Sequence, residues 1–277
     1  MSFSWYNVSM SKILCSTGAL IGRPNGRNIK LLEEIYPRLD CDGLEFMFYS
    51  DWYERWEDIA SYLKSLGYPF PTMHCQKTVG ELITQHDDDT ALRHFEINCR
   101  VADIIGAKKM VMHLWNGVIS DSDYPHSLEI YARLRKIADD NGVDLLIENV
   151  LCNQKDPMTR WKELLDAYPD AGLIFDTKMA DFHGQLDMIY SDECAYMIPN
   201  IRHYHVNDYG GGYMDWSNLK VLPVGAGHID FGKFFDFIKK TGYDDTFTVE
   251  ATAFDKEGII DYDMLNTCFK NVKGFMV

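Results

Sequence analysis

DLLIE (residues 144–148) is a short apolar run that ends in a carboxylate, and the chain repeats this form five more times. The other runs are PTMHC (71–75), KMVMH (109–113), GLIFD (172–176), IRHYH (201–205) and FTVE (247–250). They recur at intervals of about 30 to 45 residues, and each places a histidine, aspartate or glutamate at or near its end. Continuous apolar runs of this length are typical of parallel strands that are buried on both faces.

Segments with helical spacing of apolar residues alternate with the strand-like runs. Strands are predicted over residues 12–20, 43–48, 71–75, 107–114, 144–150, 172–177, 201–208 and 246–251. Helices are predicted over residues 28–39, 56–67, 89–106, 127–142, 158–168, 186–198 (the weakest pattern), 231–242 and 262–275. Eight such units predict an α/β protein with a single (β/α)8 TIM barrel over residues 12–277, since such a barrel needs about 250 residues. We expect residues 1–11 to form a mobile leader, and residues 76–88 and 207–230 to be long loops.

Composition narrows the class of protein. The chain has 277 residues, is 46% hydrophobic and 25% charged, and carries 27 Lys and Arg against 42 Asp and Glu, a formal charge of −15. This balance disfavours nucleic acid as a partner, although an anionic small molecule is compatible with a local basic patch. An odd number of cysteines without a C-x-x-C pair, no signal-peptide-like start and no stretch of 18 apolar residues predict reduced thiols, a cytoplasmic location and no membrane contact.

The polar residues that end the runs are metal ligands by type. Parallel barrel strands present their C-terminal ends at one opening, so Glu148, Asp176, His205 and Glu250 are predicted to converge there and hold a divalent cation. His74 and His113 either add a second ion bridged by Glu148 or bind substrate beside a single ion, and the sequence is compatible with both.

Each of these residues taken singly has a structural explanation, as a salt-bridged glutamate at the barrel rim or a hydrogen-bonded histidine. Their joint placement favours a site. Three carboxylates buried close together would have to take up protons unless a cation lies between them. The apolar flanks in LLIEN (145–149), LIFD (173–176) and TFTVE (246–250) predict that burial.

The chain resembles the xylose-isomerase-like barrel superfamily, which includes sugar epimerases and isomerases, inosose-processing enzymes, dehydroshikimate dehydratases and endonuclease IV. The matching segments span roughly residues 12–275 and are DGLEF (42–46), His113, IEN (147–149), FDT (175–177), HVND (205–208), VGAGHIDF (224–231) and VEA (249–251). The resemblance implies that Glu148, Asp176, His205 and Glu250 bind zinc, manganese or magnesium. It also implies that Glu148 and Glu250 act as acid and base. Dimers or tetramers are common in the superfamily, so the resemblance is compatible with a homo-oligomer, but no residue here establishes one.

The chain departs from the superfamily pattern in two places. A D-x-x-H sequence is common on the sixth strand, but this chain has Asp176-Thr-Lys-Met179, which puts a standard isomerase geometry in doubt. Lys178 is either a donor to a substrate oxygen or carboxylate, or a solvated loop residue. Endonuclease IV has an Asp-x-His pair where this chain has Leu219 and Val221, which argues against cleavage of abasic DNA.

Three further sets of residues are candidates for substrate contact or support of the site. Trp115 and Trp216 follow strands that lead to the site, where aromatic planes stack on sugar rings, although packing in the core is equally compatible. Glu45 either binds a substrate hydroxyl or pairs with Arg23 or Arg27. His203 shares a strand face with His205 and is a candidate to support it.

The leading hypothesis is an enzyme that isomerises or epimerises a small sugar, sugar acid or cyclitol ketone, using a divalent metal and carboxylate-mediated proton transfer. The alternatives are a lyase that removes water from a related substrate, an endonuclease IV-like phosphodiesterase, and a sugar-binding barrel without catalytic activity.

Overall fold

The computed structural model describes residues 11–277, and this part of the chain forms a closed barrel of eight parallel strands. The strands are β1 (Lys12–Ser16), β2 (Gly43–Met47), β3 (Thr72–His74), β4 (Lys109–Met112), β5 (Asp144–Glu148), β6 (Gly172–Asp176), β7 (Ile201–His205) and β8 (Thr246–Val249). Each strand pairs with its neighbour in sequence, and β8 pairs with β1 to close the barrel. The predicted (β/α)8 TIM barrel is therefore confirmed. Of the predicted leader, residues 1–10 lie outside the described residues.

Helices surround the barrel and cover its outer face. They are α1 (Leu32–Ile35), α2 (Trp56–Leu66), α3 (Thr78–Thr84), α4 (Asp88–Ile105), α5 (Tyr124–Asp140), α6 (Pro157–Ala167), α7 (Thr177–Phe182), α8 (Phe231–Thr241) and α9 (Tyr262–Met276). Gly67, Gly106 and Gly242 end α2, α4 and α8 in the left-handed conformation. None of the helices described in residues 11–277 is long and apolar enough to cross a membrane.

The interior of the barrel has an apolar half and a polar half. Val111, Leu146 and Ile174, on β4, β5 and β6, form a small buried cluster separate from the core between barrel and helices. The opposite half holds buried polar side chains from β2, β3, β7 and β8, namely Glu45, Thr72, His203, Thr246 and Thr248. Buried polar groups need hydrogen-bond partners, so this half of the interior is a connected network.

A bulge in β7 aligns its histidines with β6. Leu173 pairs with Ile201 and Ile174 with His203, so Arg202 is an extra residue in the register. The shift places His205 beside Asp176. Bulges redirect side chains next to functional sites, and here the bulge brings two residues of the predicted site level with each other.

The prediction of one continuous helix over residues 28–39 is wrong. The segment forms short 3-10 turns on either side of α1, which has only four residues. Pro37 lacks an N–H group, so it cannot continue the helical hydrogen-bond pattern beyond α1.

The predicted helix over residues 186–198 is also wrong. Residues Leu186–Tyr190 and Ile198–Asn200 form 3-10 helices, and the α-helix of this unit is α7, directly after β6. The carboxylate of Asp176 accepts a hydrogen bond from the Met179 N–H and so starts α7. Gly184, at φ 62°, follows its end.

The predicted loop over residues 76–88 contains α3. Helix formation here depends on Gly80, because a Cβ at that position would lie 2.2 Å from the carbonyl oxygen of His113. The glycine lets α3 lie directly against the end of β4, which carries a residue of the predicted site. No local pattern in the sequence indicates this close approach.

The long segment 207–230 lacks strands and α-helices, as predicted, but its two ends are tied together by Asp208. The two carboxylate oxygens of Asp208 accept hydrogen bonds from the backbone N–H groups of Gly225, Gly227 and Ile229, at 2.9 to 3.1 Å. A carboxylate satisfied by several backbone donors is a strong local anchor. The loop therefore closes on itself beside the end of β7.

Gly227→Ala is expected to lower the free energy of unfolding by about 1–3 kcal/mol, because the new Cβ overpacks the anchor. That Cβ would lie 2.2 Å from the Tyr209 carbonyl oxygen and 2.3 Å from Oδ1 of Asp208. Gly212→Ala is the matched control, since a Cβ there meets nothing within 4 Å. Urea denaturation of both variants checks the prediction, and equal stability would contradict the role given to the anchor.

Candidate metal centre and active site

The six residues at the ends of the apolar runs surround one opening of the barrel, at the C-terminal ends of β3 to β8. Five are no more than 5% exposed, and Glu250 is half-buried. A cavity of about 160 Å³ opens between them and is lined by 12 residues, including His74, His113, Glu148 and Glu250. Asp176 and His205 are fully buried beneath it. The structure thus brings together every residue of the predicted constellation.

The imidazole of His205 is at the centre of this constellation. Its Nδ1 atom lies 3.3 Å from Oε1 of Glu148, 3.5 Å from Oε2 of Glu250 and 3.9 Å from Oδ2 of Asp176. Its Nε2 atom lies 3.0 Å from Oε1 of Glu45. In a neutral ring that donates from Nε2 to Glu45, Nδ1 carries a lone pair directed at three carboxylates.

The charges in this cluster are strongly interdependent. Burial raises the pKa of Asp176 to about 6, and the carboxylates of Glu148 and Glu250 act in the same direction. Burial also disfavours the charge on Glu148, but His113 and His205 hold its pKa well below the usual range. Asp176 thus resists ionisation, while the neighbouring Glu148 favours it. This difference is expected where carboxylates lie close together without enough positive charge to neutralise all of them.

His205 shows which charge the cluster needs. Burial alone would lower its pKa, but the carboxylates of Glu250, Glu45 and Glu148 raise the pKa well above its ordinary value. The carboxylates therefore attract a cation to the position they face, whether a proton on Nδ1 or a metal ion. Three oxygen donors and one imidazole nitrogen suit zinc, manganese or magnesium, so the residues present fit a divalent metal ion.

A second cluster shares Glu148. Its Oε2 atom is buried and has no hydrogen-bond partner among the described residues, yet Nε2 of His113 lies 2.8 Å away and Nε2 of His74 3.4 Å away. Nδ1 of His74 lies 2.7 Å from the Cys75 carbonyl oxygen and donates to it, which leaves Nε2 facing Glu148. Burial lowers the pKa of His113 to about 4, which keeps that ring neutral. The arrangement is compatible with a second ion or with substrate hydroxyl groups.

Two asparagines fix the carboxylates, a role that the sequence analysis missed. Asn207 donates from Nδ2 to Oδ2 of Asp176 and to Oε2 of Glu250, and its Oδ1 accepts from the N–H of Glu250. Asn149 exchanges two hydrogen bonds with the backbone of Asp176. Both asparagines stand in the short segments IEN and HVND, beside predicted ligands, and that adjacency was the signal available.

Glu45 lies deeper in the barrel than the sequence predicted. It is fully buried, and the β2–β3 register puts Met47, not Glu45, level with His74 at the cavity. The predicted pairing with Arg23 or Arg27 is wrong, because the carboxylate instead faces His205 and Arg27 pairs with Asp51. Glu45 is not among the residues that line the cavity, and with His203 and His205 it forms a buried group that could hold a cation.

Glu45 belongs to a buried polar column below the site. Its Oε2 atom lies 3.1 Å from Nε2 of His203, whose Nδ1 lies 2.7 Å from Oγ1 of Thr246. Lys109 donates to the same Thr246 oxygen at 3.1 Å, near the opposite end of the barrel. The column holds the charge of Glu45 in place, and Glu45 in turn orients His205.

The remaining candidates divide between the cavity and the core. Lys178 is only 6% exposed and lines the cavity, so the solvated-loop interpretation is wrong. Trp115 is fully buried, donates to the Leu151 carbonyl oxygen and packs edge-on against Tyr124, so it belongs to the core and not to a sugar platform. Trp216 is 54% exposed and lies outside the cavity lining.

Comparison with known proteins identifies the family. A family model described as xylose isomerase-like TIM barrel matches residues 36–265. The chain belongs to this family. The match covers β2 to β8 and therefore all six residues at the cavity. A comparison with curated protein sequences found no significant match.

Members with solved structures share the fold at low sequence identity. The IolI protein, solved with a bound zinc atom, superposes with a TM-score of 0.69 at 17% identity, covering 96% of this chain and 98% of that one. D-psicose 3-epimerase from Clostridium cellulolyticum H10, solved with D-tagatose, gives 0.68 at 13%, covering 96% and 99%. The 3-keto-D-glucoside 4-epimerase YcjR from E. coli gives 0.65 at 14%, covering 95% and 99%. These likenesses establish the shared barrel.

Glu45→Gln is expected to weaken zinc binding by about 10- to 100-fold, because a neutral amide no longer holds His205 as the carboxylate does. Competition with a chromophoric chelator measures the affinity. Glu57→Gln is the control, since Glu57 is exposed on α2. Unchanged zinc affinity in a folded Glu45→Gln protein would refute the positioning role.

Proposed function

We propose that the protein is a metal-dependent enzyme that isomerises or epimerises a small hydroxylated ketone by moving a proton next to the carbonyl group. The observation that carries this proposal is the convergence of three carboxylates on Nδ1 of His205 at the barrel opening. The epimerases with the same fold support it, since their names record this type of reaction.

Glu148, Asp176, His205 and Glu250 would hold the metal ion, which is zinc, manganese or magnesium. Bound there, a divalent ion acts as a Lewis acid that polarises the substrate carbonyl group and makes the proton on the adjacent carbon easier to remove. The asparagines and Glu45 keep three of these ligands, Asp176, Glu250 and His205, in place, which limits reorganisation during the reaction.

Glu148 is the proposed base. Its Oε2 atom lies 2.8 Å from Nε2 of His113 and 3.4 Å from Nε2 of His74, and the residue lines the cavity. His113 and His205 hold the pKa of Glu148 well below its usual range, so it is a carboxylate at neutral pH. It removes the proton from the carbon next to the carbonyl group and leaves the electron pair on the substrate.

Glu250 is the proposed acid. It lies at the rim of the same cavity, and Asn207 fixes its Oε2 atom by a hydrogen bond of 3.0 Å. Return of a proton to the same carbon from the opposite face inverts that centre and gives the epimer. Return to the neighbouring carbon, with transfer of the hydroxyl proton, exchanges ketone and alcohol and gives the isomer.

The other candidate functions differ from this one in the step after the first proton transfer or in metal content. A lyase would use Glu148 in the same way and then lose a hydroxyl group as water. A phosphodiesterase gains support from the second cluster, since two adjacent metal ions are the usual apparatus of phosphate cleavage. Met179, Leu219 and Val221 and the acidic charge of the chain weigh against it. A sugar-binding barrel without catalytic activity predicts no proton exchange.

Glu148→Gln and Glu250→Gln are each expected to slow the reaction by about 100- to 10,000-fold, because an amide cannot take up or deliver the proton. Deuterium incorporation into a panel of ketoses and keto acids, followed by NMR in D2O, reports the transfer directly. Chelation of the metal should abolish the same signal, and Glu57→Gln should leave it unchanged. Full exchange in either site variant would exclude the proposed acid and base.

Metal content separates the two enzyme classes. Elemental analysis of metal-replete protein is expected to give one ion per chain, with His74 and His113 binding substrate oxygens in the isomerase. His113→Ala should then leave the metal content unchanged and raise KM. Two ions per chain, falling to one in His113→Ala, would favour the phosphodiesterase instead.

A further inference from the structure

Lys178 is a buried cation without an anionic partner. Its side chain lines the cavity and is 6% exposed, yet it forms no hydrogen bond or ion pair with any residue in the described range 11–277. The neighbouring carboxylate of Asp176 is already engaged, since Oδ1 accepts from the Met179 N–H and Oδ2 accepts from Asn207. Burial raises the pKa of Asp176, and the positive charge of Lys178 acts to lower it. The Lys178 ammonium group nevertheless forms no hydrogen bond among residues 11–277, so it can donate to water or to a ligand in the cavity.

An unpaired lysine is unusual in this setting. Removing an ammonium group from water is costly unless a counter-charge and hydrogen bonds replace the lost hydration. The Asp176 carboxylate supplies part of the counter-charge, since Lys178 acts against the effect of burial on the pKa of Asp176, but no hydrogen bond replaces the lost hydration of the ammonium group among residues 11–277. Lys178 thus lines the cavity with hydrogen-bond donors that a ligand can satisfy.

The other residues that line the cavity also favour a negative group on the ligand. Lys77 lies at its exposed rim and is likewise without an acidic partner among residues 11–277. Apart from Glu148 and Glu250, which are assigned to the metal ion, the lining carries no acid among the described residues. A negative group on the ligand would therefore meet two lysines and no competing carboxylate beyond the metal centre.

The composition of the cavity wall limits the ligand further. The cavity has a volume of about 160 Å³ and opens to solvent, and its lining among the described residues contains no tryptophan, tyrosine or phenylalanine. The site therefore lacks the aromatic plane on which a sugar ring would stack, so polar contacts must orient the ligand.

We propose that the substrate is a small hydroxy keto acid whose carboxylate pairs with Lys178. This inference rests on the proposed isomerase function and names its substrate class. A carboxylate is favoured over a phosphate ester because a phosphoryl group carries a second charge, and of the two lysines that line the cavity only Lys178 is buried.

Binding of D-glycerate and its neutral amide, D-glyceramide, to the full-length, zinc-loaded protein tests the inference by calorimetry. The two probes share their shape and differ in charge. Lys178→Met should weaken glycerate binding by about 10-fold or more, the usual effect of losing a charged hydrogen bond, and leave glyceramide binding unchanged. Lys178→Arg should restore part of the affinity. Lys240→Met is the control, since Lys240 is exposed at the end of α8, away from the cavity.

Four results would overturn the inference. The wild-type protein could fail to bind glycerate. Lys178→Met could weaken the binding of both probes equally. The zinc content of Lys178→Met could fall, which would make Lys178 a counter-charge of the metal centre. Glycerol 3-phosphate could show the Lys178-dependent binding in place of glycerate, which would indicate a phosphorylated substrate.

The same measurements separate this inference from the proposed function. Lys178-dependent glycerate binding in a protein that exchanges no ketone proton would refute the isomerase and retain the carboxylate site. Proton exchange that is equally fast in neutral ketoses and keto acids, and insensitive to Lys178→Met, would support the isomerase and refute the substrate class.

Discussion

The attraction between His205 and the carboxylates of Glu148, Asp176 and Glu250 is the interaction on which the rest of the structure depends. Glu148, Asp176 and Glu250 arrive from three different strands, and burial disfavours the charge of the first two. Positive charge at the position they face makes this arrangement stable. The register of the barrel, the bulge in β7 and the asparagine clamps all bring these groups to that position and hold them there.

The polar half of the barrel interior arises from the same constraint. A histidine that presents one nitrogen to a cation must have its other nitrogen held, and Glu45 does this from below. Glu45 is itself a buried charge, so it requires His203, Thr72 and Thr248 around it. The apolar half, formed by Val111, Leu146 and Ile174, carries no such demand and packs as an ordinary core.

The sequence was sufficient to predict the barrel and the residues at its opening, because both depend on local patterns. Buried parallel strands give apolar runs, and the end of each run marks one edge of the sheet. The depth of Glu45 and the burial of Trp115 depend on strand register and helix packing between distant segments, which no local pattern records. The helix predicted over residues 186–198 failed for a related reason. Asp176 was predicted as a metal ligand, but its carboxylate also starts α7. The helix of that unit therefore begins earlier in the chain than predicted.

The Asp208 anchor lies between the site residues at the end of β7 and the glycine-rich loop that follows them. His205 and Asn207 come immediately before it, while the glycine-rich tip at residues 210–220 lies between the segments that it joins. Insertions or replacements within that tip need not disturb the strand end, because the aspartate has already fixed the backbone on both sides. Changes in this loop can therefore alter the side chains near the barrel opening, while the positions of the proposed metal ligands stay the same.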